Sequence, residues 1–292
     1  MAEDPFDFFD TRVVRTREPG PGFVRVTLAG SRLADFACGG RDQRLKLFIP
    51  APGRDEPLVP RTTDVSWYLR WRDMDPSERA VMRSYTVREQ RRDAGELDID
   101  FALHHSPGPA ARWARDARPG DPAVLLGPLL EDNAGVDFRP PSDTDRVLLT
   151  GDETALPAIA GILAWLPAGM PTVVLLDLHR AADLQPLPTR ADADIRRLAA
   201  DRPTPDPAHP GVRVESGAAT LTEALRGLTP PPGRPYAWIA GEAAAVREQR
   251  RHLVNERGVD RSRITFTGYW RRGASEDDLL AAAMAGGTSE TD

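Results

Sequence analysis

Arg146-Val147-Leu148-Leu149-Thr150-Gly151-Asp152-Glu153-Thr154-Ala155-Leu156-Pro157 is the stretch on which the division of the chain turns. Arg146 to Thr150 reads as a short apolar strand. Beyond the Gly-Asp turn, Ala155, Leu156, Ile159, Ile162, Leu163 and Leu166 fall at helical spacing. Strand, turn and helix in that order open an α/β unit, and the pattern repeats downstream. Thr172 to Leu178 and Gly211 to Glu215 read as strands, Thr220 to Arg226 as a helix and Tyr236 to Ala240 as a strand. Glu242 to Arg257 is a helix and Ile264 to Tyr269 a last strand. Strands alternating with helices predict a parallel sheet covered on both faces. Gln185 to Pro210 reads as a flexible, Pro-rich excursion with one helix at Ala191 to Ala200.

Upstream of Arg146 the periodicity is different. Phe6 to Thr16, Gly22 to Leu28, Arg44 to Ile49, Arg83 to Val87, Glu96 to His104 and Ala123 to Leu126 are short runs with period-two patterning. Gly- and Pro-rich turns separate them, as in an antiparallel barrel. One helix, Pro109 to Ala117, interrupts, and Ala51 to Glu78 reads mostly as a long loop. Asn133 to Asp145, with Pro140-Pro141, is a polar connector. The expected organisation is a β-barrel domain over 1–132, an α/β nucleotide-type domain over 146–274 and a tail over 275–292.

Composition narrows the function. The chain has 292 residues, of which 40% are hydrophobic and 28% charged, enough apolar material for two ordinary cores. A net charge of −6 argues against nucleic acid or an acidic membrane as partner, so an anionic ligand needs a local cluster of cations. Cys38 is the single cysteine, which excludes an intrachain disulfide and a Cys-ligated iron–sulfur cluster. The start of the chain has no basic, then apolar, leader pattern and no apolar run approaches a membrane span. A cytoplasmic monomer without membrane insertion is expected.

Four segments carry candidate chemistry. Met82-Arg83-Ser84-Tyr85-Thr86-Val87-Arg88 combines a cation for a phosphate, a flat ring and hydroxyls in one strand, with Arg83 and Tyr85 on one face and Ser84 and Thr86 on the other. The same run is also ordinary β-sheet material. Gly108-Pro109-Ala110-Ala111-Arg112-Trp113 leaves a strand and enters a helix. Free amides at such a start bind phosphate, although Pro in a first turn is common without any ligand. Gly151 to Ala155 lies outside a strand end, where open α/β sheets bind nucleotides. Asp152 and Glu153 disfavour a pyrophosphate there, so a nicotinamide suits the turn better, with Thr154 at its carboxamide. Gly268-Tyr269-Trp270-Arg271-Arg272-Gly273 ends the last strand with an aromatic and cations that could border a flavin or simply cap the core. No GxGxxG motif or P-loop occurs. His104 and His105, the only neighbouring histidines, face opposite sides of a strand and do not jointly bind a metal without a bend.

In order along the chain, RSYTVR, LDIDFALHH, GPAARWARDARPGD, GDETALPAI, WIAGEAAAVREQRRHL and GYWRRG resemble the siderophore-interacting protein family of FAD-dependent ferric-siderophore reductases, in the ferredoxin–NADP reductase-like superfamily. The resemblance runs from about Arg12 to Gly273. It implies a flavin held by Arg83, Ser84, Tyr85 and Thr86 with His104 nearby, Tyr85 and Thr86 being beside the reacting ring. Gly108, Pro109, Ala110 and Ala111 would face the FAD pyrophosphate. Gly151, Asp152, Glu153, Thr154 and Ala155 would form the nicotinamide turn, with Gly241 and Glu242 opposite and Trp270 bordering it. A hydride from NADPH (or NADH) would reach the flavin, and single electrons would pass to Fe(III) in a siderophore. Arg180 points to NADPH, whereas Asp177 points to NADH. Lys46, Arg247 and Arg271 are the implied substrate cations. Three departures stand out: Ala111 replaces a frequent Ser, Arg44 a usual His, and Leu129 a frequent Arg. A flavin oxidoreductase of the same fold with another acceptor, and a chelate-binding protein without flavin, are the competing readings.

Overall fold

The computed structural model describes residues 5–62, 66–103, 108–198, 209, 211–215, 217–229 and 233–274. His104, His105 and the tail over 275–292 lie outside the described residues. Two compact units emerge. The first comprises Met1–Arg139, Leu156–Met170 and His179–Ala193, the second Pro140–Ala155, Pro171–Leu178 and Asp194–Asp292.

The first unit is built on seven strands: β1 (Phe6–Gly20), β2 (Phe23–Ala29), β3 (Arg44–Ile49), β4 (Val81–Thr86), β5 (Glu89–Arg91), β6 (Glu96–Ala102) and β7 (Pro122–Pro128). Their spatial order is β4-β3-β7-β1-β2-β6-β5, with every registered pair antiparallel. The expected alternation holds on β3, where Leu45, Leu47 and Ile49 join the core with Val26, Leu28, Ile99, Phe101 and Leu125. Burying each such side chain contributes about 2 kcal/mol. The helix α2 (Pro109–Asp116) packs against β2, β4 and β6 through Ala110 and Ala114.

The loop expected over Ala51 to Glu78 contains a helix, α1 (Trp67–Asp73). Only seven residues long and rich in charge, α1 forms because its aromatics find partners. Trp67 meets Phe8 and Phe48 edge-on at 6.3 and 6.1 Å, and buried Trp71 donates from Nε1 to the Ala80 carbonyl at 3.0 Å. The excursion after Leu184 also differs from expectation. Asp183 accepts from the Gly22 amide at 2.6 Å. Gln185 is buried and accepts from Arg25 Nη2 at 2.6 Å, while Arg25 pairs in bidentate fashion with buried Asp100. A desolvated ion pair is tolerated where every lone pair is matched, and this one pins the start of the segment to β2 and β6. Helix α3 (Leu156–Trp165) lies in the same unit. A Cβ on Gly161 would sit 2.1 Å from the Arg41 carbonyl oxygen, so only glycine allows that approach.

The second unit is a six-stranded sheet in the order β11-β10-β9-β8-β12-β13. The strands are β8 (Arg146–Asp152), β9 (Pro171–Asp177), β10 (Asp192–Leu198), β11 (Val212–Glu215), β12 (Pro235–Glu242) and β13 (Ile264–Trp270). β8 pairs in parallel with β9 and β12, β12 with β13, and β10 with β11. Helices α4 (Leu221–Gly227) and α5 (Ala243–Arg251) bury Leu221, Leu225 and Val246 against Leu175, Ile239 and Ile264. The helix expected at Ala191 to Ala200 is instead β10: Ile195, Arg197 and Leu198 are buried and Ile195 pairs with Val212. Sheet pairing overrides the helix propensity of an Ala- and Arg-rich run. The long helix expected to reach Arg257 stops at Arg251 and continues as a π-helical turn, His252–Glu256. Among the described residues, no helix is long and apolar enough to cross a membrane.

Candidate functional site

In the first unit, β4 is an edge strand, paired on one side with β3. Tyr85 lies opposite Leu45 and Arg83 opposite Leu47. The Tyr85 ring is half-buried, 4.4 Å from the Phe101 ring, which in turn lies 6.1 Å from Trp113 of α2. One side of Tyr85 is thus packed on the core, in a strand that among the described residues pairs with β3 alone. Arg83 donates from Nη1 to the Met82 carbonyl at 2.6 Å, and Thr86 is buried. Ser84 is exposed on the opposite face, where Lys46 Nζ donates to its Oγ at 2.7 Å.

The first turn of α2 suits a phosphate. Pro109 fills the first helical position and has no N–H, so Ala110 and Ala111 bring the first amides without an intrahelical acceptor. No acidic residue lies in that turn, and a Cβ on Gly108 would meet nothing within 4 Å. Room, free amides and the positive end of the helix together fit a dinucleotide pyrophosphate. The missing hydroxyl at Ala111 removes one side-chain donor and leaves those amides in place.

In the second unit, the sheet order reverses direction between β8 and β12, the switch point at which such sheets bind ligands. Gly151 pairs there with Ala240. The sequence offered Asp152 as a residue of the nicotinamide turn, and its side chain is an internal staple. Oδ1 accepts from the Thr154 amide at 2.9 Å and from Thr154 Oγ1 at 2.5 Å. Oδ2 accepts from the Glu242 amide at 2.9 Å and from Trp270 Nε1 at 2.8 Å. Burial pushes the Asp152 carboxyl above its ordinary range, while the bonds from Thr154 and Trp270 pull the other way. Gly241, at φ +134°, would carry a Cβ 2.5 Å from Asp152 Oδ2, so the staple also requires this glycine. Glu242 is the N-cap of α5, its Oε2 accepting from Ala244 and Ala245 at 2.7 and 3.1 Å. Glu153 and Ala155 are buried in the short 3₁₀ turn that follows β8. The structure therefore gathers Asp152, Thr154, Gly241, Glu242 and Trp270 where β8, β12 and β13 end.

The three cations offered for a substrate belong to different elements. Lys46 belongs to the first unit. Arg247 lines a cleft along α5 with Arg250, Arg251 and Arg261, and Arg271, exposed beyond β13, is not among its lining residues. For Arg250 and Arg251 the available signal in the sequence is their spacing of three and four from Arg247, whereas Arg261, fourteen residues on, carries none. Arg44, in place of a histidine, pairs with Asp137 at 2.9 Å, and Leu129 packs against the barrel core.

Known proteins extend these observations. A family model described as a siderophore-interacting FAD-binding domain matches residues 12–132, and one described as siderophore-interacting protein matches residues 144–273. Ferric vibriobactin reductase ViuB of Vibrio cholerae is 30% identical over 267 residues, covering 90% of this chain and 89% of its own. Among solved structures, a siderophore utilization protein from T. fusca is 32% identical with a TM-score of 0.72, over 93% of this chain and 95% of its own. The siderophore-interacting protein SipS from Aeromonas hydrophila is 29% identical with a TM-score of 0.71, over 96% of both chains. With an antiparallel barrel-like sheet bearing a phosphate-ready helix and a parallel sheet of nucleotide-binding type, the chain belongs to the siderophore-interacting protein family, a flavoprotein branch of the ferredoxin–NADP reductase-like superfamily that binds FAD.

Proposed function

We propose that the chain is an NAD(P)H-dependent ferric-siderophore reductase that releases iron as Fe(II). The observation that carries this reading is the combination, within one unit, of half-buried Tyr85 on the terminal strand β4 and the acid-free first turn of α2. The relative named as a ferric vibriobactin reductase supports it. Bound FAD supplies the exchange of a two-electron hydride for single electrons, which no side chain in the chain performs.

The protein's own groups then bind and orient. Tyr85 offers its ring and Thr86 its hydroxyl at the flavin ring, while Arg83 and the amides of Ala110 and Ala111 take the phosphate side; Ser84, on the other face, holds Lys46. Asp152 holds Thr154 and Trp270 in place for the nicotinamide, acting as a positioning residue. Lys46, with Arg247 and Arg271, supplies positive charge for an anionic chelate. No general acid or base is required. Fe(II), with one charge fewer, binds hard oxygen donors less tightly than Fe(III), so reduction frees the metal.

Anaerobic mixing with NADPH or NADH tests the reading: the flavin absorbance should bleach, then return on addition of a ferric hydroxamate, catecholate or citrate as trapped Fe(II) accumulates. A bleached spectrum that no ferric chelate restores would remove it. A different acceptor is the second reading, supported by Leu129, whose core packing leaves no cation at that position. Recovery with a quinone but with no chelate would favour it.

A further inference from the structure

We infer that the cleft between α5, the π-helical turn and the edge strand β13 is a binding site for a phosphate polyanion, sharing Arg247 with the cations proposed for the chelate but none of the flavin or nicotinamide residues. Arg247, Arg250, Arg251 and Val254 recur at the spacing of one helical face, and Asn255, Arg261 and Phe266 complete the lining. The cleft is partly open to solvent and has a cavity volume of about 140 Å³. It lies away from the Asp152 staple: Phe266 is four residues, roughly 13 Å, before Trp270 along β13.

Three features distinguish this cluster from solvated surface charge. First, among the described residues none of these four arginines has an ion-pair partner, in a chain whose net charge is −6. The carboxylates of the same helical segment are engaged elsewhere, Glu248 and Glu256 lying 3.8 and 3.5 Å from Arg226. Second, Arg250 is partly desolvated without neutralisation. Its guanidinium carbon lies 4.4 Å from the centre of the Phe266 ring, and its Nε is buried with no hydrogen-bond partner. Buried donors are normally satisfied, and an anionic ligand with its ordered water would supply the missing acceptors. Third, the helix is interrupted at this place by a π turn, a deformation that recurs at functional sites. That turn carries Val254 and Asn255 into the lining.

The chemistry selects the ligand class. Guanidinium forks match phosphate oxygens in paired hydrogen bonds. Four positive charges far exceed what one monoanion balances, and only Val254 and Phe266 offer apolar surface, so the phosphate groups and not an organic body are the recognised part. Inorganic pyrophosphate and the phosphate tail of a nucleotide share this chemistry.

Isothermal titration of the FAD-loaded full-length chain with pyrophosphate, metal-free ATP, citrate and 2′,5′-ADP decides the matter. Saturable binding of pyrophosphate or ATP is expected, weakened at least tenfold in the double variant Arg251→Gln, Arg261→Gln. Arg250→Lys, which keeps the charge and loses the fork, should weaken it several-fold. Circular dichroism and NADPH-driven flavin reduction should be unchanged in the double variant, both residues being exposed. ATP binding more than tenfold tighter than pyrophosphate identifies a nucleotide tail, and equal affinities identify inorganic polyphosphate. The inference is overturned by absence of saturable binding, by undiminished binding in the double variant, by citrate binding as tightly as pyrophosphate, or by binding of 2′,5′-ADP alone.

Discussion

Asp152 links three strand ends through a single carboxylate, and its chemistry makes it the most informative residue to change. In Asp152→Asn one of the two oxygens becomes an amide nitrogen without a lone pair; turned toward Thr154, where Oγ1 can accept from it, it still leaves the Thr154 amide without its acceptor. Stability should fall by about 1–3 kcal/mol, the cost of one orphaned group, read as the urea midpoint. Reduction by NADPH should slow while FAD content stays that of the parent, because the flavin-side residues belong to the other unit. Gly241→Ala tests the same staple from the backbone. It forces a side chain into a φ of +134° and toward Asp152 Oδ2, and should cost roughly 3 kcal/mol, seen as a lowered Tm and an altered near-ultraviolet dichroism.

At the scale of elements, α2 separates stability from cofactor binding. Gly108 is the N-cap of α2 and has no side chain to offer the first-turn amides. In Gly108→Asp a carboxylate caps those amides itself, so the helix should gain a few tenths of a kcal/mol. The same carboxylate occupies and repels the phosphate position, and the affinity for FAD should drop at least tenfold, about 1.4 kcal/mol or more, in a fluorescence titration of the apoprotein. Unchanged FAD affinity would mean that this turn does not hold the pyrophosphate. The elements also differ in how readily the sequence disclosed them. Strands β3 and β12 were read within two residues of their ends because alternation or a solid apolar run leaves one reading. Helix α1 and strand β10 were misread because seven-residue segments rich in charge take their structure from neighbours, Phe8 and Phe48 for one and β11 for the other.

Across the whole molecule, arginine is the dominant base, and its pairing with carboxylates sets the response to acid. Glu96 is held at a pKa of about 2, against an ordinary 4.5, by hydrogen bonds from Arg15 and Arg91. Asp143 beside Arg263 and Asp145 beside Arg146 are shifted in the same direction. A carboxylate whose folded pKa is depressed contributes stability that is present above its unfolded pKa and lost as pH falls through the folded one. Stability of the chain should therefore decline between about pH 4.5 and about pH 2. In Glu96→Gln that decline should be shallower, with lower stability at pH 7, as followed by urea unfolding over the pH range. Equal slopes for the parent and the variant would exclude Glu96 as a contributor.

Local pattern was enough for an antiparallel sheet followed by a parallel α/β sheet, for the edges of most strands and for the types of residue at each turn. Periodicity and turn chemistry act over a few neighbouring residues, and those are visible in a string. What a side chain does there depended on partners far along the chain. Asp152 reads as one residue of a turn and acts as a staple within it, because Glu242 and Trp270, 90 and 118 residues onward, bring donors to it. Gln185 looked like part of a flexible excursion and is buried, because Arg25 and Asp100 reach it across 160 and 85 residues. Arg250 and Arg251 carry no signal of their own in the string and line a cleft with Arg247, because β13 returns beside them carrying Phe266. Burial, hydrogen-bond partnership and charge compensation are sums over spatial neighbours, and only the tertiary structure specifies which neighbours those are.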